Sequence, residues 1–328
     1  MTGARDGVSL KDRVLRRAGR VNRELFRERN HDLERAAVVL GSGRGGTTWL
    51  AEVMAREHGS RVLFEPFHPR IAAVNSGLSL FLDADAHDSE TRRRVARVLS
   101  GRTRHRQIDH IQSPRFPASR VVKDIHATNL APWMERTFPQ VPIVYVLRHP
   151  LATSVSRLRA GTFDGLGSYL DTDAGRRWAE RSPVAEWLPL YDRHAAADDP
   201  LVRLVAEWCI ENAYPLSRMA DSSIAFAHYE RLVLDPAAEI GRLLGHCASA
   251  LGGGPGEAKL RGLREPSAMD WFGTAAKAGG RDWESILARW TQEVSPGQLD
   301  ECLAVVEEFG IDVAYGEDPV PRETIRAE

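Results

Sequence analysis

Four glycines, Gly41, Gly43, Gly45 and Gly46, lie between the apolar run Ala36–Leu40 and the pair Thr47-Thr48, which opens a helix-forming segment. Glycines let backbone N–H groups converge on an anion, and a helix N-terminus adds a favourable field, so strand, glycine loop and helix in this order make a phosphate cradle. Gly41 to Gly46 fits the GxxxxG frame of a nucleotide-triphosphate loop, but Thr47 stands where that frame needs Lys. The usual contact to the β- and γ-phosphates is missing, and the loop carries its cation internally, at Arg44; a different phosphate ester is expected there. Arg148 and Ser156 form a second candidate pair, in YVLRHPLATSVSRL. Arginine offers a fork to a phosphate, and a serine hydroxyl about two helical turns later adds a further donor. Glu65, in LFEPFHP, is a third candidate. Two prolines stop regular structure there at a strand end, and ligands of open α/β sheets sit at the carboxyl ends of strands.

The elements that must position these residues alternate. Strands are predicted at Ala36–Leu40, Ser60–Phe64, Ser119–Ile125, Pro142–Leu147 and Ser222–Ala227. Helices are predicted after the glycine loop, over ATNLAPWMERTF, Leu151–Arg159 and Leu201–Met219, from Pro236, and after the cap Ser295-Pro296. Such alternation predicts a parallel sheet with helical crossovers. LSLFLDADA and SETRRRVARVLSGRTRHRQ are read as helices separated by polar turns. The arginines from Arg92 to Arg106 are a solvated face, with an acidic acceptor as the alternative. Residues 161–200, where Gly, Asp and aromatic residues alternate without period, are read as an insertion or lid. Residues 8–35 are predicted as one basic amphipathic helix, an arm packed on the domain; docking at a membrane surface is the sharper alternative.

The loop VVLGSGRGGTTW resembles the 5′-phosphosulfate loop of sulfotransferases, which binds 3′-phosphoadenosine 5′-phosphosulfate (PAPS). On that match Arg44 replaces the loop Lys, and Gly45, Gly46, Thr47, Thr48 and Trp49 take cofactor-binding positions. Arg148, Pro150, Val155 and Ser156 fall on the family's Arg-x-Pro and Val-Ser run, which implies that Arg148 and Ser156 bind the 3′-phosphate. His228-Tyr229-Glu230-Arg231-Leu232 looks like the Tyr-Glu-x-Leu turn near the adenosine, which brings in Tyr229. Lys277-Ala278-Gly279-Gly280-Arg281-Asp282-Trp283 resembles a late loop that closes over the nucleotide, with Lys277 and Arg281 as its cations. Lys123 resembles the Lys of a Lys-x-His segment and is placed at the transferring group, or else in a salt bridge to Asp124 or a neighbour. The position two residues later is Ile125, which takes no proton. Carbohydrate-type and bacterial members use a carboxylate in a Phe-Glu-Pro context, which assigns Glu65 as general base, with His126 and His68 as alternatives.

The resemblance implies a three-layer α/β domain over 36–318, with a central parallel sheet of about five strands in the P-loop sulfotransferase fold, preceded by the arm 1–35 and followed by a tail 319–328. It implies sulfuryl transfer from PAPS to an acceptor hydroxyl without a metal, the acceptor being a glycan, glycolipid or glycosylated small molecule. A P-loop kinase or NTPase and a non-catalytic nucleotide-binding adaptor at a membrane are the competing readings. Net charge is −1 across 328 residues, which points away from nucleic acid as a partner. Cys209, Cys247 and Cys302 are too far apart for metal spacing or a disulfide framework. No apolar run approaches the ~18 residues of a membrane span. A cytoplasmic protein is expected, peripheral at a membrane if residues 8–35 dock there.

Overall fold

In a computed structural model of the chain, the structure describes residues 28, 30–71, 78–111, 114–161, 165–252, 283–312 and 314–322. Five strands form one all-parallel sheet: β1 (Ala36–Gly41), β2 (Arg61–Phe64), β3 (Arg120–Asp124), β4 (Ile143–Leu147) and β5 (Ala225–His228), in the order β2-β3-β1-β4-β5. β1 is central, and the order reverses about it, so the loop after β1 opens at the switch point where such sheets bind ligands. Nearly every strand residue is buried, as expected of a parallel sheet covered on both faces.

Alternate residues of each strand feed different layers. Val38, Leu40, Val122, Tyr145 and Phe226 face one core; Val39, Val62, Val121, Val144 and Ala227 face the other. The second core is closed by α1 (Thr47–His58), which follows the glycine loop, together with later helices of the chain. The first is closed by α2 (Ser89–Leu99), α3 (Ala131–Thr137), α4 (Pro150–Ala160), α5 (Leu166–Leu170), α6 (Asp173–Ala179), α7 (Leu188–Ala195) and α8 (Pro200–Ser217). The closing helices of the second core are α9 (Tyr229–Leu234), α10 (Pro236–His246) and α11 (Ala248–Leu251). The chain continues through α12 (Trp283–Leu287) to α13 (Pro296–Glu308), whose capping box uses Ser295 and Gln298. This is the three-layer α/β arrangement expected from the strand–helix alternation.

Several expectations are corrected. Residues 161–200 are not irregular: beyond the undescribed 162–164 they form α5, α6, a 3₁₀ segment Pro183–Trp187 and α7. Leu166, Leu170, Trp187, Leu188 and Tyr191 are buried in the first core, so tertiary packing orders helices too short to show a period. LSLFLDADA is not helical where described. Leu78, Leu80, Phe81 and Leu82 are buried in irregular chain, and its backbone bonds to the Ser79 and Tyr214 hydroxyls. The helix in SETRRRVARVLSGRTRHRQ stops at Leu99, followed by Gly101 in the left-handed region. β5 starts at Ala225 rather than Ser222, because Ser222 and Ser223 are bonded to the Glu135 carboxylate instead.

The arm also differs. Residues 8–27 lie outside the described residues, but the described part of 28–35 is not α-helical and ends in a 3₁₀ turn, Leu33–Arg35. Its reason lies at the N-terminal edge of the sheet. Arg61 and Arg120 begin adjacent strands in direct register and are fully buried. The Glu28 carboxylate bridges them, at 2.6 Å to Arg61 and 2.5 Å to Arg120. Asp109 adds a contact of 2.6 Å to Arg61, and the carbonyls of Leu99, Gly101, Thr103 and Asp32 take further donors. Glu28→Ala would leave two buried cations short of a counter-charge and should cost about 3–5 kcal/mol of unfolding free energy, read by urea denaturation. A loss near zero would show that Glu28 carries no such role.

Candidate active site

The glycine loop is held from three sides. Arg44 has φ 71°, a left-handed backbone that costs a non-glycine residue about 1–3 kcal/mol. Its guanidinium donates from Nε to the Ser156 hydroxyl at 3.1 Å, and its carbonyl accepts from Arg148 at 2.8 Å. These contacts join segments 112 and 104 residues apart. Arg148 in turn lies over the Tyr229 ring, 4.5 Å from its centroid. A Cβ at Gly46 would collide with that same ring, and one at Gly45 would lie 2.8 Å from the Ser42 carbonyl. Gly46, at φ 89°, therefore demands glycine for its backbone as well as for packing, and Gly45 demands it for packing.

The structure thus gathers Arg44, Gly45, Gly46, Arg148, Ser156 and Tyr229. Thr47, Thr48 and Trp49 form the first turn of α1; Thr47 is buried, whereas Thr48 and Trp49 are half-buried. Gly46 caps that helix and offers no side chain to accept from its first N–H groups. The Arg148 Nε is buried without a protein partner. Unsatisfied donors, two arginines and a helix N-terminus fit an anionic ligand with separate phosphate groups. Lys277 and Arg281 lie outside the described residues.

Glu65 stands at the neighbouring strand ends. Among the described residues it is, with Arg44, one of two non-glycine residues at positive φ, here 45°. Its N–H donates to the Lys123 carbonyl at 2.6 Å, and its carboxylate is paired with the Lys123 ammonium. Lys123 therefore pairs with Glu65 rather than with Asp124. The ammonium also sits 4.5 Å from the centroid of the Phe64 ring. Asp124 instead accepts from the N–H groups of Phe67 and His126, both at 2.7 Å. It thereby locks the Glu65–His68 turn to the end of β3.

His126 does not follow strand parity, because β3 ends at Asp124. It turns back instead, with its ring 4.5 Å from that of His68 and Nδ1 3.5 Å from Asp124. Burial disfavours its charge, but Asp124 and, more weakly, Glu65 outweigh this, and its pKa is raised. Burial likewise opposes the charge of Asp124, yet His126 and the backbone donors hold its carboxyl below the usual range. His110, which the sequence did not single out, packs edge-on against Phe64 at 4.4 Å, and burial lowers its pKa.

Beneath Arg148 lies a network without a local sequence signal. The His149 N–H donates to Glu230 at 2.9 Å, and the Tyr315 hydroxyl donates to the other Glu230 oxygen at 3.0 Å. His149 accepts from Leu151 N–H at Nδ1 and bonds the Gly316 carbonyl through Nε2, which fixes the Nε2–H tautomer. Tyr315 lies 87 residues beyond His228, the last residue of β5. Like Gly316 it acts only through the fold, so no motif could announce it.

The site therefore combines a glycine loop suited to an anion at the switch point of a parallel sheet with a carboxylate–ammonium pair at the next strand ends. The Sulfotransferase family model matches residues 37–251, more than half of the chain, and the chain belongs to that family, whose chemistry is sulfuryl transfer. Among solved structures it is similar to the sulfotransferase domain of the Synechococcus PCC 7002 olefin synthase, at 16% identity and TM-score 0.42 over 84% of this chain and 94% of that one. Mouse sulfotransferase SULT7A1, complexed with PAP, matches at 15% identity and TM-score 0.43 over 88% of each chain. Sulfotransferase STF9 from Mycobacterium avium matches at 13% and 0.42, over 88% of this chain and 79% of that one. No curated protein matches the sequence. No described helix is long and apolar enough to cross a membrane.

The His126–Asp124 pair makes the site's stability pH-dependent. The raised His126 pKa contributes stability that is present below about 6.5, the ordinary imidazole value, and is lost as pH rises through the folded value. The lowered Asp124 pKa contributes above about 3.9 and is lost as pH falls through its folded value. His126→Ala should therefore destabilise the protein more at about pH 5.5 than at about pH 8.5, read by thermal melts at both. Equal losses would show that the pair is not ionised.

Proposed function

We propose that this protein transfers the sulfuryl group of PAPS to a hydroxyl of a carbohydrate-containing acceptor, a glycan, glycolipid or glycosylated small molecule. One observation supports the reading: Arg44 of the glycine loop is bonded to Ser156 and, through its carbonyl, to Arg148, so the two motifs that resemble phosphosulfate and 3′-phosphate sites are joined directly. PAPS bound there supplies the sulfuryl group and leaves as adenosine 3′,5′-bisphosphate. Arg148 and Ser156 bind the 3′-phosphate, and Tyr229 lies beside the adenosine. Arg44 and the amides from Gly46 to Thr48 hold the 5′-phosphate end. As the acceptor oxygen bonds to sulfur and the sulfur–oxygen bond to phosphate breaks, electrons stay on the phosphate oxygen, where Arg44 meets the growing charge. Glu65 takes the acceptor proton, and Lys123 aims that carboxylate and balances its charge. The carbohydrate class of acceptor rests on the Phe64-Glu65-Pro66 resemblance and on Ile125 standing where a histidine base would be.

Calorimetry should show adenosine 3′,5′-bisphosphate binding much more tightly than AMP or ADP, and Arg148→Ala should weaken it by about 1.5–3 kcal/mol. Equal affinity for the three nucleotides would remove the 3′-phosphate assignment. In transfer of labelled sulfate from PAPS to glycan acceptors, Glu65→Gln should lose ~10²–10⁴-fold in turnover while bisphosphate affinity stays nearly unchanged. His126→Ala should be milder. An inactive His126→Ala beside a near-normal Glu65→Gln would move the base to His126.

A further inference from the structure

Ser156 serves Arg44, and the residue after it serves the preceding residue of the loop. Arg157 donates from Nε and Nη2 to the Gly43 carbonyl at 3.4 and 3.3 Å. Its fully buried side chain is paired with the fully buried Glu211 at 2.7 Å and lies 3.8 Å from Glu207, one turn earlier on α8. Glu207 accepts from the Gly167 N–H at 3.0 Å, in the first turn of α5. Asn212, next to Glu211, donates to the Ser42 hydroxyl at 2.9 Å. Contacts therefore run from α5 through α8 and α4 into Ser42 and Gly43. Burial pushes Glu207 up to about 7 against the pull of Arg157, with the Glu211 charge adding to the rise. Of the two carboxylates, Glu211 is the nearer partner of Arg157.

Replacing a buried ion pair with apolar residues of similar volume is often neutral or stabilising. General stability does not account for this one. What it does that an apolar pair could not is hold a carbonyl of the loop. We propose that Arg157 is a positioning residue: clamped by Glu211 and Glu207, it fixes Gly43 so that Arg44 keeps its left-handed backbone, and it couples α5 to the loop. The inference rests on the reading of this loop as the donor site.

Two variants test it. Arg157→Lys keeps the charge but lacks the fork needed to reach Glu211 and Gly43 together. The double variant Arg157→Met/Glu211→Leu removes the ion pair with little change of volume and should stay folded. For each, turnover with PAPS should fall about tenfold or more while affinity for adenosine 3′,5′-bisphosphate changes about threefold or less, the split expected when an interaction matters in the transition state. Amide exchange should rise in 42–46 for both variants, and in 166–170 as well, with the strands unchanged. A folded variant with wild-type turnover and wild-type loop exchange would overturn the proposal. So would exchange rising throughout, or failure of both variants to fold, since that marks a general structural role. If wild type neither binds the bisphosphate nor transfers sulfate, the donor assignment fails instead, and the exchange pattern still judges the clamp.

Discussion

The site depends on keeping a cation inside a glycine loop. Arg44 must occupy a backbone region that costs about 1–3 kcal/mol, and such strain persists only where the surroundings over-determine it. Here the neighbours are fixed on both sides: Arg157 holds the carbonyl before it, Arg148 holds its own carbonyl, and Ser156 holds its guanidinium. All three come from β4–α4, the strand and helix beside the loop in the sheet. The order β2-β3-β1-β4-β5 is what makes this possible, because β4 runs directly alongside β1 and delivers its carboxyl end to the loop.

The other neighbour of β1 delivers the second half of the site. β3 ends at Lys123 and Asp124, and each fixes the turn after β2 differently. Lys123 pairs with the Glu65 side chain and accepts its N–H, whereas Asp124 holds the Phe67 N–H from below. Glu65 also has a left-handed backbone. Strain thus falls, among the described residues, on the two groups assigned to the leaving phosphate and the acceptor proton. Both are held by contacts from the strand ends of β3 and β4, which flank β1.

Strands and motifs were legible because their signals are local. A buried parallel strand is a short β-branched run, and a glycine loop needs its glycines where neighbours crowd it, as Tyr229 does at Gly46. What was not legible depends on distant partners. LSLFLDADA has enough apolar residues for a helix, but its backbone bonds to the Tyr214 and Ser79 hydroxyls instead. The short helices of 165–195 gain order from packing on α8. His126 could not be placed by counting, since a strand that ends one residue earlier voids the alternation. Arg157 adjoins a recognised serine, yet its role shows only once Glu211 and Gly43 converge on it.

The histidines around Arg148 are held neutral by burial. His149 and His228 adjoin it in the sequence or the network, and burial lowers both to about 4, aided by nearby arginines. Both are therefore neutral imidazoles near neutral pH. His149 spends its one proton on Gly316 and its lone pair on Leu151, while His228 shares its Nδ1 with the Tyr315 hydroxyl, 2.8 Å away. Burial raises the Glu230 pKa, and the N–H of His149, the charge of Arg148 and the hydroxyl of Tyr315 oppose that rise. Under the proposed function the charge facing the 3′-phosphate comes from Arg148, while the imidazoles beneath it serve as neutral hydrogen-bonding supports. That division lets Tyr315, from the far end of the chain, brace the site without changing its charge.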